Sequence, residues 1–162
     1  MQKTIFTIRG VSQDLERRGA FISDLAQLID VRVAALGGVR GLFVKKTYGI
    51  VIKARPNYVA RVLTLMANDF VDAFEPLHGT YLEPLVLPAV EIPSLEDFLM
   101  CRRLEVCSAF FQVSDRFVSR HQGTVVGKAY RVLRPHLEPY LVESIPDLAK
   151  IIEKHTVVLI DA

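Results

Sequence analysis

No run of about 18 consecutive apolar residues occurs in the chain, which excludes an ordinary membrane-spanning helix. Only Thr4 to Ile8 separates Lys3 from Arg9, too short an apolar stretch for a secretory signal. Cysteine is scarce. Cys101 and Cys107 lie six positions apart in a strongly helical segment, and six positions is roughly 600° of helical rotation, so the thiols face different ways. A disulfide would distort that helix and zinc would need more ligands, so both are expected to be reduced.

Catalytic signatures are missing too. There is no G-x-S-x-G elbow, and Gly37-Gly38 does not follow a strand in a dinucleotide-binding frame. His78, His121, His136 and His155 show no HxH or HxxxH spacing, so no metal site and no cofactor are expected. The stretch HQGTVVGKAY, starting at His121, resembles a phosphate loop only superficially. The Walker pattern needs four residues between its glycines and a hydroxyl after the lysine. Here three residues separate Gly123 from Gly127, and Ala129 follows Lys128. Gly123 is expected to end a helix, with another starting at Thr124, or the glycines to allow close packing.

What is present is oil. Of 162 residues 51% are hydrophobic, and the mean hydropathy of +0.28 is high for a soluble chain of this size. With a membrane span excluded, the surplus points to an oligomer interface or a ligand cavity. A cytoplasmic, self-associating single domain over 1–162 is expected, large enough to bury roughly 70% of its unfolded surface.

Periodicity suggests an α+β fold. Thr4 to Ile8 reads as a strand, and Ser12 caps a helix carrying Leu15, Ile22, Leu25, Ile29 and Leu36, stopped by Gly37 and Gly38. GLFVKKTYGIVIKA reads as a hairpin turning at Thr47-Tyr48-Gly49, with Leu42, Val44, Ile50 and Ile52 on its dry face. A helix from Pro56 follows, with Val59, Val62, Leu63, Met66, Phe70 and Phe74 along one side. The order βαββα, completed by either LEPLVLPAVEI or the closing TVVLI, matches a ferredoxin-like sandwich. The prolines of the first candidate favour the second. A soft boundary falls at 83–93. Beyond it, a capping box at Ser94 and Asp97 opens a long amphipathic helix to about Gln122, and a short helix starts at Pro146.

Charge is segregated. Seven basic residues and no acid lie between Val31 and Asn68, whereas Asp69 to Cys101 holds seven acids and no base. The bland explanation is that these blocks cover each other, within the protomer or between copies. The functional one is that Lys45, Lys46, Lys53, Arg55 and Tyr48, projecting from the hairpin, meet an anion.

The expected function is therefore a non-catalytic binding or regulatory module, working as a homo-oligomer and recognising an anionic small molecule or an acidic protein surface. A small enzyme is the alternative, using Arg116 and Arg120 to grip a carboxylate and His121 to move a proton. Nucleic-acid binding through the hairpin ranks below both, because the acidic block would repel a backbone.

Overall fold

Thr7 and Asp14 each start a helix by offering a side-chain oxygen to free backbone N–H groups. The Thr7 hydroxyl accepts from Gly10 N at 3.0 Å, opening α1 (Ile8–Gln13). The Asp14 carboxylate accepts from Glu16 N and Arg17 N at 3.0 and 3.1 Å, opening α2 (Leu15–Ala35). The structure, a computed structural model, describes residues 2–5, 7–86 and 93–160. Further helices follow as α3 (Gly38–Ala54), α4 (Tyr58–Leu82), α5 (Leu95–Cys101), α6 (Arg103–Arg120), α7 (Val125–Leu133) and α8 (Glu138–Thr156). Two four-residue strands, β1 (Gln2–Ile5) and β2 (Val157–Ile160), pair antiparallel with Gln2 opposite Ile160. They form a ribbon at the chain ends, the only sheet among the described residues.

The ferredoxin-like sandwich is thus overturned: the architecture is helix on helix. The error began at GLFVKKTYGIVIKA, which is α3 and not a hairpin. Gly41, Val44, Tyr48 and Val51 recur at intervals of three, four and three, a single helical face. Gly41, Val44 and Val51 are buried on it. Leu42 and Ile50, expected to be dry, are 65% and 55% exposed. Alternation and helical periodicity overlap in this short segment, and packing against α2, α4 and α7 overrides its β-branched propensity. Gly49, assigned to a turn, sits inside the helix. In the other expected completing stretch, LEPLVLPAVEI, the described part forms no strand. Glu83–Val86 is a 3₁₀ turn, and 87–92 lie outside the described residues.

The long second-half helix is interrupted. Ser94 caps α5 as expected, accepting from Asp97 N at 3.0 Å, but the helix breaks at Arg102. That break lets α5 pack on α8 while α6 runs along α4. Leu95, Val106 and Ile145, each at most 1% exposed, are at the centre of the core, joined by Ile8, Val71, Leu77 and Leu99. Full burial of each such side chain contributes roughly 1.5–3 kcal/mol.

The glycine stretch after α6 is a turn. Gly123 has φ +92°, a conformation that favours glycine, and Thr124 caps α7 by accepting from Gly127 N at 3.0 Å. A Cβ on Gly127 would lie 2.8 Å from the carbonyl oxygen of His121. Close approach, not phosphate binding, requires that glycine.

Candidate functional site

The long helix α2 carries one face on which Arg18, Phe21, Ile22, Leu25, Leu28, Ile29, Arg32 and Val33 recur at alternating intervals of three, one and three. All eight line a cavity of about 350 Å³. From the opposite side come Val44 and Tyr48 of α3, Leu63 and Phe70 of α4, Phe110 of α6, and Leu141 and Leu148 of α8. The wall is almost wholly apolar, and the cavity opens partly to solvent. Its size falls within the range of about 300–1,000 Å³ common to small-molecule sites.

A closed void that large would cost roughly 8 kcal/mol, at about 24 cal/mol per Å³. That is comparable with the whole stability of an ordinary domain. Water can enter through the open side, but it needs two to four polar partners, which this wall barely provides. Many lining residues, among them Leu25, Leu28, Phe70 and Leu141, remain only half-buried because their inner faces look into the cavity.

The polar groups on the wall lie toward its ends. At the far end of the α2 face, the Arg32 guanidinium donates to Asp147 of α8, and the Tyr48 hydroxyl donates to Asp30. Burial and the Asp30 hydrogen bond both raise the Tyr48 pKa far above the ordinary phenol value, so it stays a neutral donor. The Ser144 hydroxyl donates to the Tyr140 carbonyl at 2.7 Å. At the near end, Arg18 differs. Its Nη2 donates to the Thr64 carbonyl at 3.2 Å, and it has no carboxylate partner among the described residues. Ser12, on the helix leading into α2, also lines the cavity.

Two other polar clusters act as ties. Asp115 accepts from the Tyr130 hydroxyl at 2.7 Å and from Arg134 Nε at 3.1 Å, while the Arg134 guanidinium lies 3.5 Å over the Phe111 ring. Asp115, Arg134 and Phe111 edge a smaller, more open pocket holding Cys107. Burial, followed by the charge of Glu138, pushes the Cys107 thiol above its ordinary pKa, leaving it a poor nucleophile. Asp24 holds His155 and Lys154, but no hydroxyl or thiol engages the other His155 nitrogen among the described residues, so no catalytic triad forms.

The structure scatters the expected site residues. Arg116, Arg120 and His121 do share the end of α6, all exposed, and none lines the cavity. The His121 ring stacks on Phe117 and its Nδ1 lies 2.8 Å from the Phe117 carbonyl. With the hairpin gone, Lys45, Lys46 and Lys53 are on α3 and Arg55 just beyond it; only Lys46 and Lys53, seven apart, fall on nearly one helical face. Tyr48 points instead to Asp30 and the cavity. No ion pair joins the basic stretch 31–68 to the acidic stretch 69–101 among the described residues; Arg32 pairs with Asp147, and Asp72 with Arg9. Both cysteines are free thiols. No group of three or more metal-ligating side chains occurs among the described residues, nor any helix long and apolar enough to cross a membrane.

The sequence reading missed Arg18 as a site residue. Its signal was present: an arginine at each end of one apolar helical face.

A helix-on-helix protein with a partly open apolar cavity is the class these features define. The chain belongs to DUF6918, a family of unknown function, which it matches over residues 10–156. No curated protein and no solved structure matches it.

Proposed function

We propose that this protein is a non-catalytic binding module whose ligand is an apolar small molecule held in the cavity between α2, α3, α4 and α8. The observation that carries this reading is the cavity wall: about 350 Å³ of space bounded almost entirely by hydrocarbon and aromatic side chains. Such a volume lowers the stability of the free chain and rewards any molecule that fills it, through dispersion contacts and removal of apolar surface from water. On the wall Arg32 is held in an ion pair and Tyr48 is a raised phenol, which suits retention of a ligand and not its chemical change.

The test is titration with the neutral fluorescent probe N-phenyl-1-naphthylamine. Saturable binding with one site per chain is expected, together with a rise in melting temperature as ligand concentration passes Kd. Ala67→Phe, which fills the cavity from α4, should abolish binding while leaving the helical circular dichroism intact. Absence of saturable binding, or binding unaltered in a folded Ala67→Phe protein, would overturn the reading.

A further inference from the structure

Resting on that reading of the cavity, we infer that the ligand is a single-chain amphiphile of about sixteen carbons whose anionic head group seats against Arg18, as in a long-chain carboxylic acid. The length follows from α2. Arg18 and Arg32 are fourteen positions apart on the cavity face, about 21 Å at the helical rise of ~1.5 Å per residue. An extended alkyl chain advances about 1.25 Å per carbon at ordinary C–C bond lengths, so roughly sixteen carbons span the apolar floor from Phe21 to Ile29 and its two ends.

The head group follows from the asymmetry of the two arginines. Arg32 already spends its guanidinium on a protein carboxylate, Asp147, which Lys150 Nζ also approaches at 3.6 Å. Arg18 lines the same wall, but among the described residues its one polar contact is a donation to the Thr64 carbonyl. A guanidinium has five N–H donors in a planar fork, so most of its capacity meets no acceptor among the described residues. A carboxylate fits that fork with two parallel hydrogen bonds. Ser12, on the neighbouring helix, lines the same wall and has no hydrogen-bond partner among the described residues. A neutral head group would gain little from a half-buried cation, and a cationic one would be repelled by it.

The experiment displaces the naphthylamine probe from the full chain with hexadecanoate, hexadecan-1-ol and alkanoates of ten to twenty carbons at low ionic strength. Hexadecanoate should bind at least tenfold more tightly than the alcohol, and affinity should climb with length and level off near sixteen carbons. Arg18→Gln should erase the preference for the acid while keeping affinity for the alcohol; Arg32→Gln should keep the preference. If the probe binds but the acid and alcohol compete equally, or if affinity is indifferent to length, this inference fails while the cavity stands as a binding site. If no probe binds, the reading of the cavity itself fails. The wild-type comparisons decide the matter even if Arg18→Gln does not fold.

Discussion

The carboxylate of Asp24 accepts two hydrogen bonds on the same oxygen, from Lys154 Nζ and His155 Nε2, each 2.7 Å long. It thereby ties the middle of α2 to the last turn of α8. The Lys154 hydrogen bond first, and the His155 one second, hold the Asp24 carboxyl below its ordinary pKa of 3.8. A group whose pKa is lowered on folding contributes stability above its unfolded value and loses it as pH falls through the folded one. Asp24→Asn should therefore destabilise the protein by about 1 kcal/mol at pH 7, because the tie is partly exposed. In thermal denaturation that is about 2–4 °C for a chain of this size. The gap between variant and wild type should close below pH 3.8; a constant gap down to acid would refute the assignment.

His78 is 3% exposed, stacks near Tyr81, and its Nδ1 has no hydrogen-bond partner among the described residues. Burial lowers its pKa below 6.5, with Glu75 pulling weakly the other way. The unfolded chain consequently binds a proton there more readily than the native one, so wild-type stability falls as pH drops below about 6.5. His78→Phe keeps an aromatic ring and removes the titration. In urea denaturation it should lose less stability between pH 7 and pH 5 than the wild type does. Equal losses would show that His78 is not a source of the acid sensitivity.

The glycines separate by what surrounds them. Gly127→Ala forces a Cβ to within 2.8 Å of a backbone oxygen and should cost about 1–3 kcal/mol. Gly49 in α3 has open space at that position, and Gly49→Ala should stabilise by about 0.5–1 kcal/mol. Chemical denaturation of the two variants checks both signs.

Core and cavity wall should respond differently to truncation. Ile145, fully buried, should lose about 2–5 kcal/mol on replacement by alanine. Leu25 already faces empty space, so Leu25→Ala should cost about 2 kcal/mol, the low end of that range. Equal losses at the two positions would mean that the cavity is filled by the protein itself.

Part of this was legible in the sequence. The cap at Ser94, the turn at Gly123, the apolar face of α4 and the surplus of oil all rest on local chemistry or on sums that need no topology. The surplus pointed to a cavity as one destination, but not to which helices would enclose it. Residues 41–54 were misassigned because a run of β-branched residues fits both periods, and only packing on α2 and α4 chooses between them. The break at Arg102 was hidden for a related reason: α5 and α6 share a continuous apolar pattern, and the need to cover two different partners interrupts it. Arg18 and Arg32 differ through Asp147, more than a hundred positions from either, which no local pattern reports.

The ribbon that pairs Gln2–Ile5 with Val157–Ile160 closes a loop of about 150 residues. Loop-closure entropy grows with length, so helical neighbours such as α1 and α2 have every reason to assemble earlier on the folding route. Weakening the ribbon should then leave the refolding rate nearly unchanged while shortening the lifetime of the native state, since contacts absent from the transition state govern escape from the native basin.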